Sequence, residues 1–115
     1  MANSVTMKRN DTRPFLDVVL QDVNGAALDL STTVSGITFT MKDLDSDAIK
    51  VNQQDCSLVN TGSDGMVRYS WKPTDTNAAG TYAGEFQILY NDTTKLTVPT
   101  SSVLSIIILE DYDNA

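Results

Sequence analysis

Residues 66 to 90 constrain the fold of this chain more than any other stretch. Met66-Val67-Arg68-Tyr69-Ser70-Trp71 and Thr81-Tyr82-Ala83-Gly84-Glu85-Phe86-Gln87-Ile88-Leu89-Tyr90 both read as strands, with side chains alternating at period two. Between them Lys72-Pro73-Thr74-Asp75-Thr76-Asn77-Ala78-Ala79-Gly80 is a polar loop of turn formers. The pair holds the only Trp and three of the four Tyr. Alternation sends Tyr69, Trp71, Tyr82 and Phe86 to an inner face, and Gly84 leaves a gap beside the large rings.

The rest of the chain repeats this pattern in shorter pieces. Leu16, Val18 and Leu20 share a face before the Asn24-Gly25 turn, and Ala26 to Leu30 reads as a short extended piece. Ile37, Phe39 and Met41 point one way and Thr38, Thr40 and Lys42 the other, as in a half-buried antiparallel strand. Asp43-Leu44-Asp45-Ser46-Asp47 turns the chain into Ala48 to Val51. Cys56 to Asn60 follows, stopped by the Asp64-Gly65 turn. Lys95 to Val98 ends at Pro99, and Val103 to Leu109 is the last strand. No amphipathic helix stands out, although Asp75 to Ala79 has room for a single helical turn. Turn signals every eight to twelve residues or so predict an all-β chain, a β-sandwich of about seven to nine short strands. Residues 1–13 read as an N-terminal arm or an irregular first strand, 14–110 as the sandwich, and 111–115 as an acidic tail.

Composition narrows the chemistry by exclusion. At 115 residues there is one core. One cysteine, Cys56, cannot build a disulfide framework, and with no histidine neither a zinc site nor a Ser-His-Asp or Cys-His constellation is available. The acids are mostly Asp in turns, where water solvates them and leaves no carboxyl tuned for acid–base work. Asp43 to Asp47 resembles the start of a calcium loop. Ala48 and Gln54 stand where that loop needs Gly and a bidentate Glu, so it reads as a hairpin tip. The glycines form no phosphate-cradling motif. A net charge of −7 argues against nucleic acid, whose phosphates call for clustered Lys and Arg. No apolar leader and no run of membrane-spanning length is present, so the expected place of synthesis is the cytosol. The expectation is a non-enzymatic protein without cofactor or metal.

Two features go beyond an ordinary core. Asp75, followed by Gly80-Thr81-Tyr82 at the start of a strand, matches the corner of immunoglobulin-type sandwiches, where a tyrosine folds back onto the preceding loop. Trp71, Asp75, Gly80, Tyr82 and Phe86 are the expected core and corner. The terminal strand carries Leu104, Ile106 and Ile108 on one face and Val103, Ile107 and Leu109 on the other. The second face needs a cover, either the N-terminal segment or a neighbouring subunit. With the basic cluster Lys8, Arg9 and Arg13, the residues Val103, Ile107 and Leu109 are the candidate interface.

Three segments, Asn10-Asp11-Thr12-Arg13-Pro14 running to Leu30, Val34 to Asp43, and Gly65 through Asp75 continued by Ala79 to Phe86, carry a joint likeness. Together they resemble the N-terminal domain of the baseplate upper protein family of tailed phages. The likeness extends from about Lys8 to Leu109. It implies an immunoglobulin-like sandwich, a virion assembly or anchoring module of tail, baseplate or capsid surface, without catalysis. Its implied partners are other virion proteins in a multimeric assembly, and its implied place is the virion, after synthesis in the host cytoplasm. Family members often continue into a coiled coil or a receptor-binding region, whereas this sequence stops at Ala115; that favours an adaptor or a decoration protein over a host-binding fibre. The alternative is a module binding carbohydrate or a host surface, with Tyr69, Tyr90 or Tyr112 as sugar platforms. Alternation places the first two of these in the core, which weakens that alternative.

Overall fold

The computed structural model describes residues 4–32, 34–99 and 104–110. These residues form nine strands: β1 (Ser4–Lys8), β2 (Leu16–Val19), β3 (Val34–Asp43), β4 (Ile49–Asp55), β5 (Ser57–Leu58), β6 (Met66–Tyr69), β7 (Gly80–Tyr90), β8 (Lys95–Val98) and β9 (Leu104–Leu109). One 3₁₀ turn, Pro73–Asp75, lies between β6 and β7. The larger sheet runs β1-β9-β7-β3-β4, and β8 also pairs with β7; the smaller runs β2-β6-β5. All pairs are antiparallel except β1 with β9.

This is an immunoglobulin-like order. Strands β2, β6 and β5 take the places of B, E and D, and β9, β7, β3 and β4 those of G, F, C and the added C′. The longest strands, β3 and β7, pair from Val34↔Tyr90 to Asp43↔Tyr82 and form the centre of the larger sheet. Strands β8 and β9 share the other edge of β7. Val98 sits opposite Phe86 and Leu104 opposite Gly84.

Aromatic rings join the two sheets. Phe39 of β3 lies 4.9 Å from the ring of Tyr69 of β6, 5.0 Å from Phe86 of β7 and 5.8 Å from Trp71. Trp71 meets Phe39 and Tyr69 edge-on, at 88° and 87°, the orientation ring quadrupoles favour. The expected inward set Tyr69, Trp71, Tyr82 and Phe86 is buried, as are Ile37, Phe39 and Met41. Trp71 follows β6, however, and the core position on the C-type strand belongs to Phe39. Gly84 is the gap that lets these rings close. A Cβ there would lie 2.8 Å from both Ile106 Cδ1 and Phe39 Cε1.

Three expectations are refined. Ala26 to Leu30 is not a strand; only Gln21 and Ala27 form an isolated bridge. Its backbone is satisfied instead by neighbouring loops, Leu28 N donating to Leu20 O at 2.9 Å and Leu30 N to Gly62 O at 2.8 Å. The helical turn comes earlier than Asp75 to Ala79, because Pro73 presets the first helical position and the Asp75 carboxylate accepts the Lys72 N–H at 2.9 Å. Residues 1–13, expected as an arm or an irregular first strand, take the second form over their described part. Ser4–Lys8 runs beside β9, in register from Ser4↔Ser105 to Lys8↔Leu109.

Candidate interface

The corner is built as the sequence pattern predicts. The Tyr82 hydroxyl donates to Ala78 O at 2.7 Å, closing the loop onto the strand that follows it. Burial and the nearby Asp43 charge push the Tyr82 hydroxyl pKa up. Asp75 sits deeper, 6% exposed, and accepts both the Tyr69 hydroxyl and the Lys72 N–H through Oδ2. The N-terminal segment is tied to the same loop: Asn10 N donates to Thr76 O at 2.8 Å, and Thr76 Oγ1 to Asp11 O at 2.8 Å. These contacts fix where the chain passes from the larger sheet to the smaller.

That passage splits the expected basic cluster in two. Lys8 pairs in register with Leu109, and Arg9 N donates to Leu109 O at 2.7 Å. Arg9 does not project as a free cation, since its Nε lies 3.3 Å from Glu110 Oε2 and its side chain is only 20% exposed. Lys8, Arg9, Ile107 and Leu109 therefore share one edge of the larger sheet, while Arg13 lies apart on the side of the smaller sheet. Val103 falls outside the described residues.

Ser105 stands on the outer face of β9 beside Ile107, which makes that face less apolar than expected. Ile107 is half-buried between its lateral neighbours Thr81 and Thr6, and Leu109 remains 43% exposed. Strand β1 thus lies beside β9 and does not cover its face.

The sequence did not reveal a second surface. The register Asp17↔Arg68 between β2 and β6 places these two side chains on the outer face of the smaller sheet. Arg68 grips Asp17 with two bonds, Nε to Oδ1 at 2.8 Å and Nη2 to Oδ2 at 3.0 Å. The guanidinium hydrogen bond holds the Asp17 carboxyl below the usual range, and Arg68 is raised in turn. Phe15 carries two guanidinium groups on its ring, Arg68 at 5.1 Å and Arg13 at 5.3 Å. Arg13, Pro14, Phe15, Asp17 and Arg68 line an open groove of about 550 Å³. Only tertiary pairing brings Arg68 to Phe15, more than fifty residues away, so no local motif could have marked the groove.

The Asp-rich loop of residues 43–47 is a hairpin tip. Asp43 Oδ1 accepts the Asp45 N–H at 2.8 Å, and Lys42 Nζ donates to Asp47 Oδ1 at 2.7 Å. Among the described residues no group of three or more His, Cys, Asp or Glu is arranged to hold a metal ion. The Cys56 thiol is pushed up to about 12 by burial and by the neighbouring Asp55 charge, which suppresses the thiolate a nucleophile needs. Of the expected sugar platforms, Tyr69 is fully buried and Tyr112 lies outside the described residues. Tyr90 is half-buried: it packs against the margin of the core on the face that alternation predicts, and it lines a shallow groove with Asn91, Asp92 and Thr94.

The fold and these surfaces define an immunoglobulin-like β-sandwich whose distinctive residues lie at its corner and on its sheet faces. Comparison with protein-family models, with curated proteins and with solved structures gives no match.

Proposed function

We propose that this protein is a non-enzymatic structural module of a tailed-phage virion. It joins components of the tail or baseplate, or decorates the capsid surface, through contacts with other virion proteins. The observation that carries the reading is that the three family-like segments form one spatial unit. The segment from Asn10 is bonded to the corner loop at Thr76, and Val34 to Asp43 pairs along β7 beside the Gly65 to Phe86 segment. The sequence likeness therefore falls on the frame of the sandwich. The edge formed by Lys8, Ile107 and Leu109 offers a mixed cationic and apolar contact, and many copies in a symmetric assembly strengthen a small contact.

Mass spectrometry of purified particles, separated into heads and tails, tests this reading. The protein is expected at stoichiometric level in one fraction, and its absence from both overturns the proposal. The groove beside Tyr90 supports a second reading, a module binding carbohydrate on a host surface. A ring next to amide, carboxylate and hydroxyl groups suits a sugar. Titration with host-envelope oligosaccharides, followed by shifts of the Tyr90 and Asn91 resonances, separates the two.

A further inference from the structure

We propose that a second copy of this chain docks by placing its β3–β4 hairpin tip in the groove of Arg13, Phe15 and Arg68. The two surfaces carry matching unused groups. In the groove the Arg68 guanidinium is committed to Asp17, while Arg13 is exposed, rests on the Phe15 ring, and meets no acid among the described residues. Its planar set of N–H donors fits a carboxylate in two-point fashion, and Phe15 supplies an apolar floor beside it.

The tip has the complementary arrangement. Its backbone is closed by Asp43 N donating to Ala48 O and Asp47 N to Asp43 O, each at 2.8 Å. Asp43 is engaged in capping its own turn and Asp47 in pairing with Lys42. That leaves Leu44, 48% exposed, next to Asp45, whose carboxylate has no partner among the described residues. A rigid turn thus presents one apolar side chain and one free carboxylate, against a groove that presents one ring and one free guanidinium.

The occupant follows from charge and from topology. Copies with net charge −7 repel at most orientations, so a contact between them needs a local pairing of opposite sign. The tip belongs to the far edge of the larger sheet and the groove to the outer face of the smaller one, so a single chain cannot bring them together. Because unlike patches meet, the contact either closes reciprocally as a pair or propagates from copy to copy. This inference stands on the two surfaces and is independent of the virion reading.

Sedimentation velocity and light scattering over rising protein concentration test it, with Arg13→Glu and Asp45→Arg as variants and circular dichroism as a check on folding. Both positions are exposed. The wild type is expected to gain mass with concentration and lose it on adding salt, while each variant alone stays monomeric. An equimolar mixture of the two variants is expected to regain association, because the introduced glutamate of one meets the introduced arginine of the other. A wild type that is monomeric at every concentration overturns the proposal. So does association that neither substitution weakens, or a mixture that fails to recover it. None of these results affects whether the protein is found in particles.

Discussion

The Tyr69 hydroxyl donates to Asp75 Oδ2 inside the sandwich, and the same oxygen accepts the backbone N–H of Lys72. One carboxylate thus joins the end of β6 to the 3₁₀ turn that follows it, and fixes how the chain enters the corner. Replacing Tyr69 by Phe removes one of the two donors and leaves a buried oxygen short of a partner. The expected loss is about 1–3 kcal/mol, and Asp75→Ala falls in the same range because it strands the buried hydroxyl. Urea unfolding followed by Trp71 fluorescence measures both; a loss within error for either shows that the link is not structural.

The corner bond itself is weaker. Tyr82→Phe keeps the ring in the core and deletes only the bond to Ala78 O. A loss of about 0.5–1.5 kcal/mol is expected, smaller than for Tyr69→Phe, because the Ala78 carbonyl can turn to water. Thermal unfolding of the two variants side by side gives the ranking.

Gly84→Ala is expected to disturb the packing of the core. The added methyl meets Ile106 of β9 and Phe39 of β3, the strands on either side of β7, at 2.8 Å, so one of the packed side chains has to move. Overpacking of this kind costs about 1–3 kcal/mol. A companion variant carrying Ile106→Val, which shortens the obstructing side chain, is expected to recover part of the loss; additive losses in the double variant count against the packing explanation.

Stability is expected to fall at both ends of the pH range. Burial raises the pKa values of Tyr69 and Tyr82 above the ordinary tyrosine value of 10.0. Their contribution is complete below that value and is lost as pH rises above it, because the unfolded chain releases protons that the folded one retains. Asp17, Asp47, Asp64 and Asp92 are lowered from 3.8 by hydrogen bonds, so their contribution is present above that value and is lost as pH falls through their folded values. Denaturation midpoints measured from acid to alkaline pH are expected to show a plateau with both shoulders. Tyr69→Phe removes its share of the alkaline one.

Cys56 is expected to resist alkylation in the native protein. With its thiol pushed up to about 12, almost no thiolate exists at pH 8. Iodoacetamide labelling is expected to run much faster in denaturant than in buffer. Equal rates in the two show that the thiol is not shielded.

Much of the fold was legible because period-two alternation is a local property. Ile37, Phe39 and Met41 had to share a face whatever their partners, and Tyr82, Gly84 and Phe86 likewise. The corner was legible for the same reason, since Tyr82 and the Ala78 carbonyl that accepts its proton are only a few residues apart. The residues grouped as a candidate interface are brought together only in part. Lys8 and Leu109 pair in register, Arg9 pairs with Glu110, and Arg13 was grouped with neighbours that the fold carries away from it.

The sequence by itself determined that this chain is all-β, where most of its strands lie, which side chains form its core and how its corner closes. Each of these follows from spacing along the backbone and from the conformations that Gly, Pro, Asn and Asp allow. Tertiary structure decided which surfaces exist: the parallel pairing of β1 on β9, and the Phe15 ring between Arg13 and Arg68. The physical reason is that a strand's pattern fixes which way its side chains point, whereas strand order and register fix what they meet. The stretch from Met66 to Tyr90 supplies the frame, and the pairing of β2 with β6 creates the Arg13–Phe15–Arg68 groove on its outside.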